Sequence, residues 1–221
     1  MVNPLTRRLL LGAALCAAGV AVLAILFYGS DRFNHYDSTL TAHLLASGGS
    51  GRARLAEAAS DSANPLPLLF ALAGVSVLGV VWGRPWQLLA AGGVVVFANL
   101  STQLMKAVLA HPRLQGALGA SYPIEVGYPS GHATAAFAAG LALWLVAPPR
   151  WRGWAAVAGL AYGCLVGIGV VVAGWHFISD VVGAVLVVGF WGLLALAGLV
   201  AAGLESPDDW TLREPGTSPG G

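Results

Sequence analysis

From Leu9 to Tyr28 the chain runs for about 20 residues without a charged side chain, directly after Arg7-Arg8. That length crosses the hydrocarbon core of a bilayer and exceeds the core of a signal peptide. Arginines ahead of an uncleaved first helix favour a cytoplasmic N-terminus. The same texture recurs along the chain. Further apolar runs cover about 67–83, 86–106, 131–147, 153–173 and 177–203. Two short turns separate four of them, Trp82-Gly83-Arg84-Pro85-Trp86 and Pro148-Pro149-Arg150-Trp151-Arg152. Both combine tryptophan with arginine, as expected at a membrane–water boundary.

Composition agrees with this pattern. Of 221 residues 57% are hydrophobic and 10% charged, well below the roughly 25% charged of soluble domains. A net charge of +1 gives no electrostatic case for nucleic acid. Cys16 and Cys164 lie inside apolar runs, so no disulfide is expected and the redox compartment cannot be read from them. The expected fold is all-α, a polytopic membrane protein forming a six-transmembrane-helix bundle over residues 1–204. Residues 29–67 form its long extracytoplasmic loop. There Leu40, Leu44 and Leu45 fall at helical spacing and suggest a short interfacial helix. Residues 205–221, polar and rich in Pro and Gly, are expected to be a disordered cytoplasmic tail.

Six spans place both termini in the cytoplasm. Arg7, Arg8, Arg84, Arg150 and Arg152 then lie at the inner face of the cell membrane, where short basic turns set orientation. Whichever way the bundle is inserted, Lys106, Arg113, Ser130, His132, His176 and Asp180 share the opposite face. These residues carry the chemistry. In Tyr128-Pro129-Ser130-Gly131-His132 a loop runs into an apolar helix that Ser130 can cap. Gly131 lets an anion approach the backbone N–H groups, and His132 projects from the first turn. Lys106 and Arg113 each read alone as boundary anchors. On the face that bears this helix start they read as an anion clamp, with a planar fork and a point charge. His176 and Asp180 stand at i and i+4 on one helix face, so the carboxylate can hold one ring nitrogen and leave the other free. A boundary Asp–His pair is costly enough to point to function. His35, His43 and His111 have no such partner in sequence and read as solvated loop residues.

The order Lys106, Arg113, then Pro129-Ser130-Gly131-His132, then His176 and Asp180 resembles the type 2 phosphatidic acid phosphatase family of membrane lipid phosphate phosphatases. The likeness covers about 10–203, with three motifs in the family's order. It implies that His176 is the nucleophile, forming a phosphohistidine, and that Asp180 orients it. It further implies that His132 is the general acid, and that Lys106, Arg113, Ser130 and Gly131 hold the phosphoryl oxygens. No metal and no cofactor is implied. The partners are a phosphorylated lipid, either a lipid phosphate or a polyprenyl diphosphate, and the bilayer itself, with the active site on the extracytoplasmic side. Phosphoryl transfer of this kind is mostly positioning and charge stabilisation.

Two departures stand out. Leu114 follows Arg113 where the family usually has proline. The third motif normally opens with Ser-Arg, and here those positions are Gly169 and Val170. One phosphate-binding cation is therefore missing. By analogy with an oxyanion donor, such a group is worth on the order of 3–4 kcal/mol of transition-state stabilisation. An arginine restored at 170 is expected to strengthen the phosphate site. Arg52 and Arg54, the cations of a Gly-flanked loop segment, either face headgroups or fold over the site. The alternative to an active enzyme is a catalytically silent membrane protein that binds a phosphorylated lipid with the same clamp.

Overall fold

The computed structural model describes residues 3–46, 50–109 and 127–206. Eight helices are described there, and among the described residues no strand occurs: α1 (Pro4–Gly29), α2 (Asp31–Ala46), α3 (Ser50–Asp61), α4 (Pro65–Val81), α5 (Pro85–Leu109), α6 (Gly131–Val146), α7 (Pro149–Val172) and α8 (Ile178–Ala201). Local sequence sets their ends. Prolines open α1, α4, α5 and α7, where the missing N–H costs nothing. Asn3 caps α1 by accepting from Leu5 N at 2.9 Å. After α4 the chain turns through Gly83 at φ 65°, a left-handed conformation that favours glycine.

Four helices, α1, α5, α7 and α8, are individually long and apolar enough to cross a membrane. The end of α3 and the whole of α4 pass the same test together, with a 56° bend between them, giving up to five spans. α6 is apolar but only 16 residues long. The loop 29–67 is thus largely helical, and its second helix is bent onto the next apolar one. Large apolar side chains point outward: Leu15 is 73% exposed, Phe70 72% and Trp154 71%. A water-soluble surface does not carry such a band, and this is an integral membrane protein.

α6 lies at the centre, packed against α4, α5, α7 and α8. Its small residues permit that. Gly140 and Gly159 let the α6 and α7 backbones meet so closely that a Cβ on Gly140 would lie 2.6 Å from Gly159 O. α1 packs on α8 and α3 on α7. Because the helices alternate in direction, α4, α6 and α8 begin at the end of the bundle where α5 and α7 finish.

At the other end Glu205 closes the bundle. It is 6% exposed, so the tail expected from residue 205 has its first residue packed in, and its remainder from 207 lies outside the described residues. Arg152 binds Glu205 with both Nη atoms, at 2.8 and 2.7 Å. Gln87 Nε2 donates to the same carboxylate at 3.0 Å, and Arg84 also pairs with it. Arg152 stacks over Trp144 as well, 5.0 Å from its ring centroid. Burial alone pushes the Glu205 carboxyl upward, but hydrogen bonds from Arg152 and Gln87 and the charges of Arg152 and Arg84 outweigh it. The net effect holds this group below the usual glutamate range.

Candidate active site

The polar end is built on two helix starts. Ser130 is fully buried and caps α6, its Oγ accepting from Ala133 N at 3.3 Å. Thr134 Oγ1 donates its only proton to Ser130 O at 2.8 Å, so Thr102 must donate across the 3.0 Å contact with Thr134. This ties α6 to α5 one turn before Lys106. Tyr128, 1% exposed, packs against α8, and a Cβ on Gly183 would lie 2.4 Å from its ring.

The second start belongs to α8. The chain leaves α7 through Gly174 at φ 74°, and the N–H groups of Trp175 and His176 both donate to Val170 O, at 2.9 and 3.1 Å. His176 is thereby fixed just ahead of the helix. Its Nδ1 lies 3.2 Å from Asp180 Oδ2, which also accepts from Phe177 N at 3.0 Å. Asp180 is fully buried, its charge favoured by the helix N-terminus. From α2, Asp37 accepts from Ser179 N at 3.2 Å and from Ser179 Oγ at 2.6 Å, adding a second carboxylate at that turn.

One bond joins the two starts: Ser130 N donates to Asp180 O at 3.1 Å. With Ser130 N and Ala133 N committed, Gly131 and His132 are the N–H groups at the tip of α6 without a bond among the described residues. Lys106 is aimed at them. A Cβ on Gly131 would lie 3.2 Å from Lys106 Nζ and 3.6 Å from Gln103 Nε2. His132 sits against Trp175, ring centroids 5.4 Å apart, and its Nε2 lies 3.0 Å from Asn64 Oδ1.

Lys106, Gly131, His132, Asn64 and Gln103 line a 580 Å³ cavity between α4, α5 and α6. Its far wall is apolar, with Leu68, Leu69, Leu72, Val95 and Val96. The structure therefore brings Lys106, Ser130, Gly131, His132, His176 and Asp180 to one end of the bundle. Arg113 lies outside the described residues, as does His111. Among the described residues no cluster of three His, Cys, Asp or Glu side chains is assembled that could hold a metal.

Residues 64–202 match the family model of the PAP2 superfamily. The chain belongs to the PAP2 superfamily. The matched segment opens at Asn64, so α1 to α3 stand outside it, and α4 to α8 make up the PAP2 core. No curated protein matches the chain in sequence. Among solved structures it is similar to the first transmembrane PAP2-type phosphatidylglycerolphosphate phosphatase from Bacillus subtilis, at 16% identity and a TM-score of 0.70. That match covers 88% of this chain and 98% of the other, and it shows a shared fold.

The departure at Gly169-Val170 now has a physical reason. A Cβ on Gly169 would lie 2.9 Å from both Ala56 O and Ser60 Oγ of α3. Val170 is fully buried with Ala63, Ala136 and Val166. Apolar packing from α3 and α6 fills the place, so an arginine restored at 170 would meet a closed core; the expectation that it strengthens the site is corrected. Arg52 lines a different cavity, of 250 Å³, between α2, α3 and α7. Asn64, Asp37 and Gln103 were not singled out as site residues in the sequence. Gln103 was recognisable as a polar group at the end of an apolar run, but no spacing rule links Asn64 or Asp37 to the motifs.

Proposed function

We propose that this PAP2 protein is a membrane phosphatase of six spans, the short central α6 being the sixth, that removes phosphate from a lipid phosphate or polyprenyl diphosphate at the extracytoplasmic boundary, through a phosphohistidine on His176. The observation that carries the reading is the Ser130 N to Asp180 O bond, which ties the helix start facing Lys106 to the turn bearing the His176–Asp180 pair. Asp180 on Nδ1 leaves His176 Nε2 as the nucleophile. As Nε2 bonds to phosphorus, the bond from phosphorus to the leaving oxygen breaks, and His132 protonates that oxygen. Water then attacks the phosphohistidine, gives a proton back to His132, and frees inorganic phosphate. Lys106, Arg113, Ser130 and the open N–H groups of Gly131 and His132 balance the equatorial oxygens.

The cavity supports a lipid substrate. Its polar end carries Lys106 and His132, and its apolar wall on α4 and α5 suits a hydrocarbon chain. The solved neighbour's description, a phosphatidylglycerolphosphate phosphatase, favours the same substrate class. Membrane side follows from the basic turns at Arg84 and Arg150–Arg152, at the end opposite the site.

A second reading is a silent lipid-phosphate binder, favoured by the buried, uncharged Val170. Phosphate release from phosphatidate, phosphatidylglycerol phosphate and polyprenyl diphosphate, in detergent with a chelator present, separates the two. The enzyme reading expects release from at least one. Binding of these lipids without release from any supports the silent protein.

A further inference from the structure

Asn64 occupies the N-cap position of α4, where an asparagine side chain ordinarily accepts a backbone N–H from the first turn. It makes no such bond. Its Nδ2 donates instead to Asp61 Oδ1 at 3.0 Å, and its Oδ1 faces His132 Nε2 at 3.0 Å. A carboxylate oxygen accepts, so Asp61 decides which way the amide is turned. The amide oxygen left facing the ring also accepts, so Nε2 must carry the proton. Pro65 and Pro67 carry no N–H, so of the first three helical residues only Leu66 offers a donor to a cap, and the Asn64 side chain serves Asp61 and His132 instead.

We infer that Asn64, oriented by Asp61, is a positioning residue that keeps Nε2 of His132 protonated and leaves Nδ1 as the nitrogen that gives and regains the catalytic proton. The catalytic half of this rests on the phosphatase reading above; the placement of the proton does not. Two imidazoles at one site are thus held in opposite senses. A carboxylate holds His176 at Nδ1 and frees Nε2, while a neutral amide holds His132 at Nε2 and frees Nδ1. The difference suits their roles. A carboxylate stabilises positive charge on the ring that becomes bonded to phosphorus, whereas an amide adds no charge to hold a proton that has to leave. In the first step the proton passes from Nδ1 to the leaving oxygen as its bond to phosphorus breaks. In the second, Nδ1 recovers a proton from the attacking water, and the Nε2–H bond persists through both. Among the described residues, the charged and titratable groups facing His132 are Asp61 at the end of α3, Lys106 from α5 and His176 from the turn before α8.

The test has two parts on the full-length protein. Solid-state NMR of protein carrying ¹⁵N-labelled histidine, in lipid bilayers, reads the two ring nitrogens, with His132 assigned by the signal lost in His132→Gln. The neutral ring is expected as the Nε2–H form with Nδ1 titrating, and Asn64→Ala should turn this into a mixture of tautomers. A wild-type ring in the Nδ1–H form overturns the inference. For activity, Asn64→Ala should lower kcat about tenfold or more on an alcohol-leaving monoester with little change in KM, a fraction of what a general acid contributes. Asp61→Ala removes the carboxylate that turns the amide and whose charge favours the protonated ring, so it should move the alkaline limb of kcat/KM to lower pH. Folded Asn64→Ala and Asp61→Ala proteins with wild-type pH profiles and kcat also overturn it. A wild-type protein without any phosphatase activity overturns the phosphatase reading and this catalytic role together, and the spectrum then decides the proton's place alone.

Discussion

Ser130 donates its backbone N–H to the carbonyl of Asp180 at 3.1 Å, so the start of α6 and the start of α8 are one hydrogen-bonded unit. Asp180 serves that unit twice, once through its backbone and once through the carboxylate that holds His176 and the Phe177 N–H. Asp180→Asn keeps the shape and the backbone bond but loses the charge and can misplace the ring proton. We expect a fall in kcat on the order of 10³–10⁴-fold, by analogy with other His–carboxylate pairs. Melting in detergent should move by only a few degrees. Equal losses in activity and folded fraction would mean that the carboxylate acts only on the fold.

Gly183 should be the least replaceable glycine of α8. Gly183→Ala places a methyl group 2.4 Å from the buried Tyr128 ring, which leads directly into the Ser130–His132 helix start. Overpacking of this kind costs about 1–3 kcal/mol, and both thermal stability and activity should fall. Gly198→Ala on the same helix meets nothing within 4 Å. It should be neutral or slightly stabilising, since alanine favours a helix. Comparable melting temperatures for the two variants would contradict the packing described.

Glu205 predicts a pH dependence at the far end of the bundle. Its folded pKa lies below the unfolded value. The stability it contributes is therefore complete above the ordinary glutamate range and is lost as pH falls through the depressed folded value. Melting of the wild type should weaken on acidification below about pH 4.3. Glu205→Gln should be less stable at neutral pH, by about 3–5 kcal/mol if Arg152 is left buried without its partner, and its stability should vary less with acid. A Glu205→Gln protein as stable as wild type at pH 7 would remove the clasp.

Much of the bundle was legible in the sequence because membrane helices announce themselves by length and polarity. The prolines at 65, 85 and 149 and the Trp-Arg turns mark real helix boundaries. The Ser-Gly-His helix start is a local signal and appears as one, whereas His176 stands two residues ahead of α8 and meets Asp180 from the turn before the helix, not along one helix face. What the sequence could not show are partners brought together by helix packing. Asn64 meets His132 across 68 positions, and Asp37 meets Ser179 across 142. Glu205 lies in a segment whose composition is that of a tail, yet two arginines from distant turns draw it in. The absent arginine at 170 was visible, but its cause was not, since only the bend between α3 and α4 brings Ala56, Ser60 and Ala63 against α7. Val170→Arg should accordingly destabilise the bundle.

If His176 takes the phosphoryl group, phosphate release depends on its imidazole, and the rate of release by His176→Ala decides the matter. The comparison is made with wild type on whichever lipid phosphate gives turnover. Release should fall to background while the variant still folds and still binds the lipid, because Lys106 and the α6 helix start remain in place. A folded His176→Ala protein that releases phosphate at the wild-type rate would contradict it.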